Sequence, residues 1–100
     1  MSRAYLPIAF EWDDAKAASN LAKHRIAFQA AVAVFADPNA VMVDTVRAID
    51  GESRRKVIGR IQSRLFTVVY VVRSGACRLI SARRANASEE RAYGTHDARP

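Results

Sequence analysis

"RRKVIGRIQSRLFTVVYVVRSGACRLISARRA" (Arg54 to Ala85) alternates, turns, runs apolar, turns and alternates again. In the first segment Val57, Gly59 and Ile61 fall on one side and Lys56, Ile58 and Arg60 on the other, the period of a strand. "QS" is short enough to be a hairpin connection into "RLFTVVYVVR", whose unbroken apolar character predicts a central strand covered on both faces. "SG" then turns the chain into "ACRLISARR". Three strands joined by tight turns make an antiparallel meander, and arginine occupies positions in all of them.

Working outward, "AVMVDTV" is short and β-branched and adds a fourth strand, with "AIDGES" supplying an Asp-Gly turn signal. Upstream, "IAFEWDD" begins with a short strand-like apolar segment and turns into a helix start. The helix runs through "DDAKAASNLAKH", with Asp13 or Asp14 as the N-cap. Ala15, Ala18, Leu21 and Ala22 fall on one face of that helix, and Lys23 and His24 occupy its last turn, where cations suit the dipole. Phe28, Ala31, Val32 and Phe35 have the spacing of a second amphipathic helix, which Pro38 ends. After the meander, Asn86 and Glu89 have capping-box spacing and open a third helix, for which Gly94 is the expected stop. The order β, α, α, four strands, α predicts an α+β domain: a small, mostly antiparallel sheet with two N-terminal helices and one C-terminal helix. It forms a single domain over residues 1–94, with 95–100 as a disordered tail.

One hundred residues, nineteen of them alanine, allow one modest core. No apolar run is long enough to span a bilayer, and "MSRAYLPIAFEWDD" has no long apolar segment before its acids. No membrane association is expected, and the cytoplasm is the default location. Cys77 is the single cysteine, in a strand context, and reads as a buried structural thiol. With only His24 and His96 besides, no metal cluster and no cofactor are expected. Residues 1–50 carry five Lys/Arg against six Asp/Glu, and residues 51–100 carry eleven against four. So asymmetric a chain offers a basic surface to an anionic partner, most commonly nucleic acid.

"FEWD", "N..KH", "VF.DP", "E.R...IG" and "ISAR.A...E...Y" occur in that order between Phe10 and Tyr93. Together they resemble the BrnT toxin family, over about Phe10 to Gly94. The resemblance implies a fold related to RelE-type ribonuclease toxins and a place in a type II toxin–antitoxin system. It implies a toxin that cleaves RNA and arrests translation, and a BrnA-type ribbon-helix-helix antitoxin that neutralises it. The complex of the two would bind operator DNA through the antitoxin. One departure is Arg25, where members of the family often carry glycine after the Lys-His pair.

Metal-free RNA cleavage by 2′-hydroxyl attack requires a proton acceptor, a proton donor and fixed cations around the phosphoryl oxygens. His24 is the acid–base candidate, because imidazole titrates near neutrality. Its residue type alone equally allows a helix-terminal cap, and the "KH" match favours the catalytic role. Glu52 and Arg54 share a side of an extended segment, as a base with a phosphate-holding arginine or as an edge salt bridge. Arg83 shares strand parity with Leu79, and Arg73 with Val69 and Val71. Either arginine can hold phosphate or pair with a helix carboxylate such as Glu89, and the "ISAR" match favours the first role for Arg83. Tyr93 stands four residues after Glu89, where it packs the helix on the sheet or serves the reaction by stacking or proton donation. Trp12 reads as a core anchor. The expected catalytic set is His24, Glu52, Arg54, Arg83 and Tyr93, with Lys23, Arg25, Arg73, Arg78 and Arg84 along the RNA phosphates. A non-catalytic nucleic-acid-binding module, or a protein whose basic face binds an acidic antitoxin segment, would use the same basic face without turnover.

Overall fold

A computed structural model describes residues 9–45 and 54–97. The elements are β1 (Ala9–Glu11), α1 (Asp14–His24), α2 (Phe28–Ala31) running into a 3₁₀ segment (Val32–Ala36), β2 (Val41–Thr45), β3 (Arg54–Ile61), β4 (Arg64–Arg73), β5 (Ala76–Arg84) and α3 (Ala87–Asp97). The five strands form one sheet in the order β1-β5-β4-β3-β2. The expected α+β class is correct, and the apolar "RLFTVVYVVR" segment is the central strand. β1 runs parallel to β5, and every other pair is antiparallel.

Backbone torsions explain the tight connections. Ser74 and Gly75 both take positive φ, 48° and 81°, the condition for a type I′ turn that follows the twist of the strands. Gln62 takes φ 59° in the two-residue β3–β4 turn.

One face of the sheet carries the main core. Val57, Val68, Tyr70, Cys77 and Leu79 pack there against Phe28, Ala31, Val34 and Phe35. Trp12 meets Phe28 edge-on at 5.8 Å, the anchoring role its sequence position predicts. Cys77 is buried, and burial pushes its thiol up to about 12. The second helix departs from expectation after one turn, where tightening to 3₁₀ geometry buries Val34 fully in the core and leaves Val32 partly buried against it.

Gly59 makes that close approach possible. A Cβ there would lie 2.8 Å from Val34 Cγ1 and 2.9 Å from the Val34 carbonyl oxygen. Gly59→Ala is therefore expected to cost about 1–3 kcal/mol in chemical denaturation, because a backbone oxygen must move to admit the methyl group.

Two further expectations change. The face of α1 formed by Ala15, Ala18, Leu21 and Ala22 is the solvent face, with Leu21 49% exposed. The side turned toward the sheet carries Ala17 and Asn20. Gly94 does not stop α3, which runs on to Asp97 in ordinary helical geometry.

Candidate active site

The C-terminal half of α1 lies against β5, and a polar side chain makes the junction. β1 pairs with β5 only from Ala76 to Arg78, so the rest of that edge needs another partner. Asn20 provides one. Its Oδ1 accepts from the Ala82 N–H at 3.0 Å and its Nδ2 donates to the Ala82 carbonyl at 2.9 Å, the pair of bonds a neighbouring strand would make. The same Nδ2 donates to the Ile26 carbonyl at 3.2 Å and so fixes the turn leaving the helix. Beside this junction is a cavity of 170 Å³ lined by Lys16, Ser19, Asn20, Lys23, His24, Ile80 and Ser81. It gathers one imidazole, two ammonium groups and two hydroxyls without a carboxylate. Lys23 and His24 both line it, although residues adjacent on a helix point about 100° apart and need not share one site.

Arg25 ends α1 in left-handed geometry, φ 60° and ψ 30°, with its N–H donating to the Leu21 carbonyl at 2.9 Å. That torsion explains why glycine suits the position after the Lys-His pair. Arg25→Gly is expected to raise stability by about 1 kcal/mol, read as a rise of several degrees in the thermal midpoint.

On the opposite face of the sheet, Glu89 of α3 is the centre of a buried ionic cluster. Arg83 grips its carboxylate with both terminal nitrogens, at 2.8 and 2.9 Å. Lys56 Nζ and Thr67 Oγ1 each donate at 2.8 Å. Glu89 Oε1 also accepts from the Asn86 N–H at 2.9 Å while Asn86 Oδ1 accepts from the Glu89 N–H at 2.8 Å, closing the expected capping box. Burial opposes charge on Glu89, yet hydrogen bonds from Arg83, Lys56, Asn86 and Thr67 outweigh it and hold the carboxyl far below its ordinary range. The bond to Glu89 raises the Arg83 guanidinium above its already high value, against burial. Two cations face one carboxylate, which leaves a net positive charge at the base of α3.

A second junction joins α3 to the end of the 3₁₀ segment. Tyr93 donates its hydroxyl to Asp37 Oδ2 at 2.8 Å, and the Arg60 N–H donates to the same oxygen at 2.7 Å. The Arg60 guanidinium lies 5.4 Å from the Tyr93 ring centroid. Burial pushes the Asp37 carboxyl up, but bonds from the Asn39 and Arg60 N–H groups and from Tyr93 bring it below its usual value. Burial and the bond to Asp37 raise the Tyr93 phenol.

The strand register sets Arg83 apart from Arg54 and Arg73. Arg83 lies opposite Thr67 and Arg73 opposite Ala76, so six residue steps along β4 separate them, roughly 20 Å at ~3.3 Å per residue. Arg54 stands at the start of β3 opposite Thr45. Arg83 also does not share a face with Leu79. A bulge between the Val69–Ser81 and Tyr70–Leu79 pairs inserts Ile80, and one inserted residue reverses every side chain beyond it. Arg78 bonds Glu11 across the parallel pair at 3.3 Å, and Arg84 sits 5.9 Å from the Phe66 ring centroid. Glu52 lies outside the described residues. Asn20, Asp37, Lys56 and Thr67 hold the architecture together and were not singled out by motif chemistry. Lys56 is nevertheless visible by its alternation with Val57.

Among curated proteins none matches the chain. A family model described as "Ribonuclease toxin, BrnT, of type II toxin-antitoxin system" matches residues 12–89. That span begins at Trp12, includes the Asn20 junction, the His24 cavity and the Asp37 turn, and ends on Glu89 itself. The chain belongs to the BrnT family of ribonuclease toxins of type II toxin–antitoxin systems.

Proposed function

We propose that this toxin is a metal-independent endoribonuclease of the cytoplasm, working by attack of the RNA 2′-hydroxyl on the adjacent phosphorus. We further propose that a BrnA-type ribbon-helix-helix antitoxin neutralises it and carries the complex to operator DNA. Membership in the family already brings an RNA target and an antitoxin partner. The observation that carries the mechanistic reading is the lining of the α1–β5 cavity. His24, Lys16 and Lys23 surround it with no carboxylate among them, a set suited to a phosphate and poor in the oxygen ligands that hard cations need.

In this reading His24 moves the proton, at the 2′-oxygen or the 5′-leaving oxygen. Lys16 and Lys23 neutralise the phosphoryl oxygens as charge builds on them. Ser81 stands two residues before Arg83 on β5, so the net positive charge around Glu89 lies beside the cavity and adds to its field. Tyr93 serves the site by fixing α3 through Asp37, and Arg54 and Arg73 extend the field along RNA outside the cavity. Glu52 is the remaining candidate base.

Purified protein incubated with RNA in EDTA, beside His24→Ala, Glu52→Ala and Arg83→Lys, tests this. Cleavage by the parent, reduced about 10²–10⁴-fold in His24→Ala, is the expected result. Arg83→Lys keeps the charge but loses the planar fork, so circular dichroism must accompany the assay. Binding without products, across several RNAs and with ribosomes present, would instead favour a non-catalytic nucleic-acid module.

A further inference from the structure

The basic surface holds a second cavity, on the other side of the turn that follows α1. It measures 390 Å³, within the range of small-ligand sites (roughly 300–1,000 Å³). Ile61 and Phe66 contribute apolar surface to it, Gln62 and Ser63 of the β3–β4 turn line one side, and Arg25 and Arg64 bring two cations to it. No carboxylate lines it, and among the described residues neither arginine has an ion-pair partner. Both turns that border it contain a residue in left-handed geometry, Arg25 at φ 60° and Gln62 at φ 59°. The Arg84 guanidinium, 5.9 Å from the Phe66 ring centroid, adds a third cation nearby.

A mixed lining of apolar side chains, an aromatic edge, two turn residues and two arginines matches a particular ligand chemistry: a flat, hydrogen-bonding ring joined to a phosphate. We propose that this cavity is a subsite for one unpaired RNA nucleotide. The base would enter between Ile61 and Phe66, its edge would meet the Gln62–Ser63 turn, and the phosphate would be held by Arg25 and Arg64. His24 lines the first cavity and Arg25 the second, so consecutive residues join them and one strand of RNA can occupy both. The nucleotide held here flanks the one that is cut. This inference rests on RNA being the substrate, and it adds where the strand is gripped outside the reacting phosphate.

The test uses a short single-stranded RNA with every 2′-hydroxyl methylated, which binds but cannot be cleaved by 2′-attack. Fluorescence anisotropy compares the parent with Arg64→Glu, Arg25→Gly and Arg91→Glu, the last an exposed charge on α3 away from both cavities. Arg64→Glu and Arg25→Gly are expected to weaken binding about tenfold, the loss of one charge-assisted hydrogen bond. Each should also reduce the slope of log affinity against log salt by about 0.7, the share of one phosphate contact. Arg91→Glu should change affinity less than twofold. Adenosine monophosphate should shift the backbone amide resonances of Gln62 and Ser63 in the parent and not in Arg64→Glu.

Equal losses in Arg64→Glu and Arg91→Glu would overturn the subsite, since they indicate only a diffuse field. So would RNA binding that ignores Arg64→Glu while antitoxin binding depends on it, which would assign the cavity to the protein partner. Arg25→Gly guards the result against unfolding, because that variant should be more stable than the parent while binding less. Binding that depends on Arg64 in a protein that cleaves no RNA would keep the subsite and remove the enzymatic reading. Cleavage with binding untouched by Arg64→Glu would do the reverse.

Discussion

Glu89→Ala is expected to lose about 3–5 kcal/mol of folding stability, the largest effect of any single change considered. The carboxylate is 2% exposed and accepts from Arg83, Lys56, Thr67 and the Asn86 N–H. Removing it leaves two cations side by side, at the edge of a buried region, with no negative charge between them. It also removes half of the capping box that starts α3, so the helix should detach from β3 and from Thr67. Urea denaturation measures the loss. A change below about 1 kcal/mol would mean that the cluster relaxes into water at little cost, as surface ion pairs do.

The two junctions of α3 set an acid dependence with a definite sign. Glu89 and Asp37 both titrate below their ordinary values when folded. Their contribution is therefore complete above the unfolded carboxylate range, near pH 4, and is lost as pH falls from there toward the folded values. The parent should lose stability steeply below about pH 4.5. Glu89→Gln should start lower at neutral pH and fall less steeply in acid, with the remaining slope belonging largely to Asp37. Parallel curves for the two proteins would show that Glu89 is not the group being titrated.

Asn20→Ala is the second large effect, about 3 kcal/mol. One side chain, 6% exposed, satisfies the Ala82 N–H and two carbonyls, and alanine leaves these buried groups without partners. The exchange rate of the Ala82 amide proton should rise well beyond what the global loss of stability accounts for, since Asn20 is its acceptor. An unchanged rate would place the control of that edge elsewhere. Asn20→Asp should be no rescue. It keeps the acceptor, loses both donated bonds and introduces a buried charge. Because Asn20 also lines the His24 cavity, these variants should lose RNA cleavage together with stability.

Much of the fold was legible because its signals are local. The alternation of Val57, Gly59 and Ile61 against Lys56, Ile58 and Arg60 placed β3 and both of its faces. The apolar run from Leu65 to Val72 placed the central strand, and the Asn86–Glu89 spacing placed the start of α3. Local signals failed where geometry is set by tertiary packing. Period-two counting could not see the bulge at Ile80, so it put Arg83 on the face of Leu79. Helical periodicity picked the alanine-rich face of α1, yet the sheet selects the face whose Asn20 can complete the β5 edge. Val34 enters the core only because Gly59 lets the backbone close to within contact.

The site was legible by residue type and less so by position. His24 and Lys23 line one cavity together with Ile80 and Ser81, which the 100° between neighbouring helical residues did not require. The family-like pieces of sequence divide between chemistry and architecture. "N..KH" carries both Asn20 and His24, "VF.DP" carries the Asp37 junction, and "ISAR.A...E...Y" carries Arg83, Glu89 and Tyr93. A motif quoted as text cannot distinguish an arginine that holds phosphate from one that holds a helix. The bidentate bond to Glu89 gives Arg83 a structural duty whatever it contributes to RNA.

End-group analysis of RNA cut by the purified protein in excess EDTA tests the ribonuclease reading most directly. Attack by the 2′-oxygen with departure of the 5′-oxygen must leave a 2′,3′-cyclic phosphate on one fragment and a 5′-hydroxyl on the other. Those ends are the expected result for the parent protein, with the fragments lost in a His24→Ala variant that unfolds at the same urea concentration. Fragments that form only when magnesium is restored, and that carry 5′-phosphates, would contradict it.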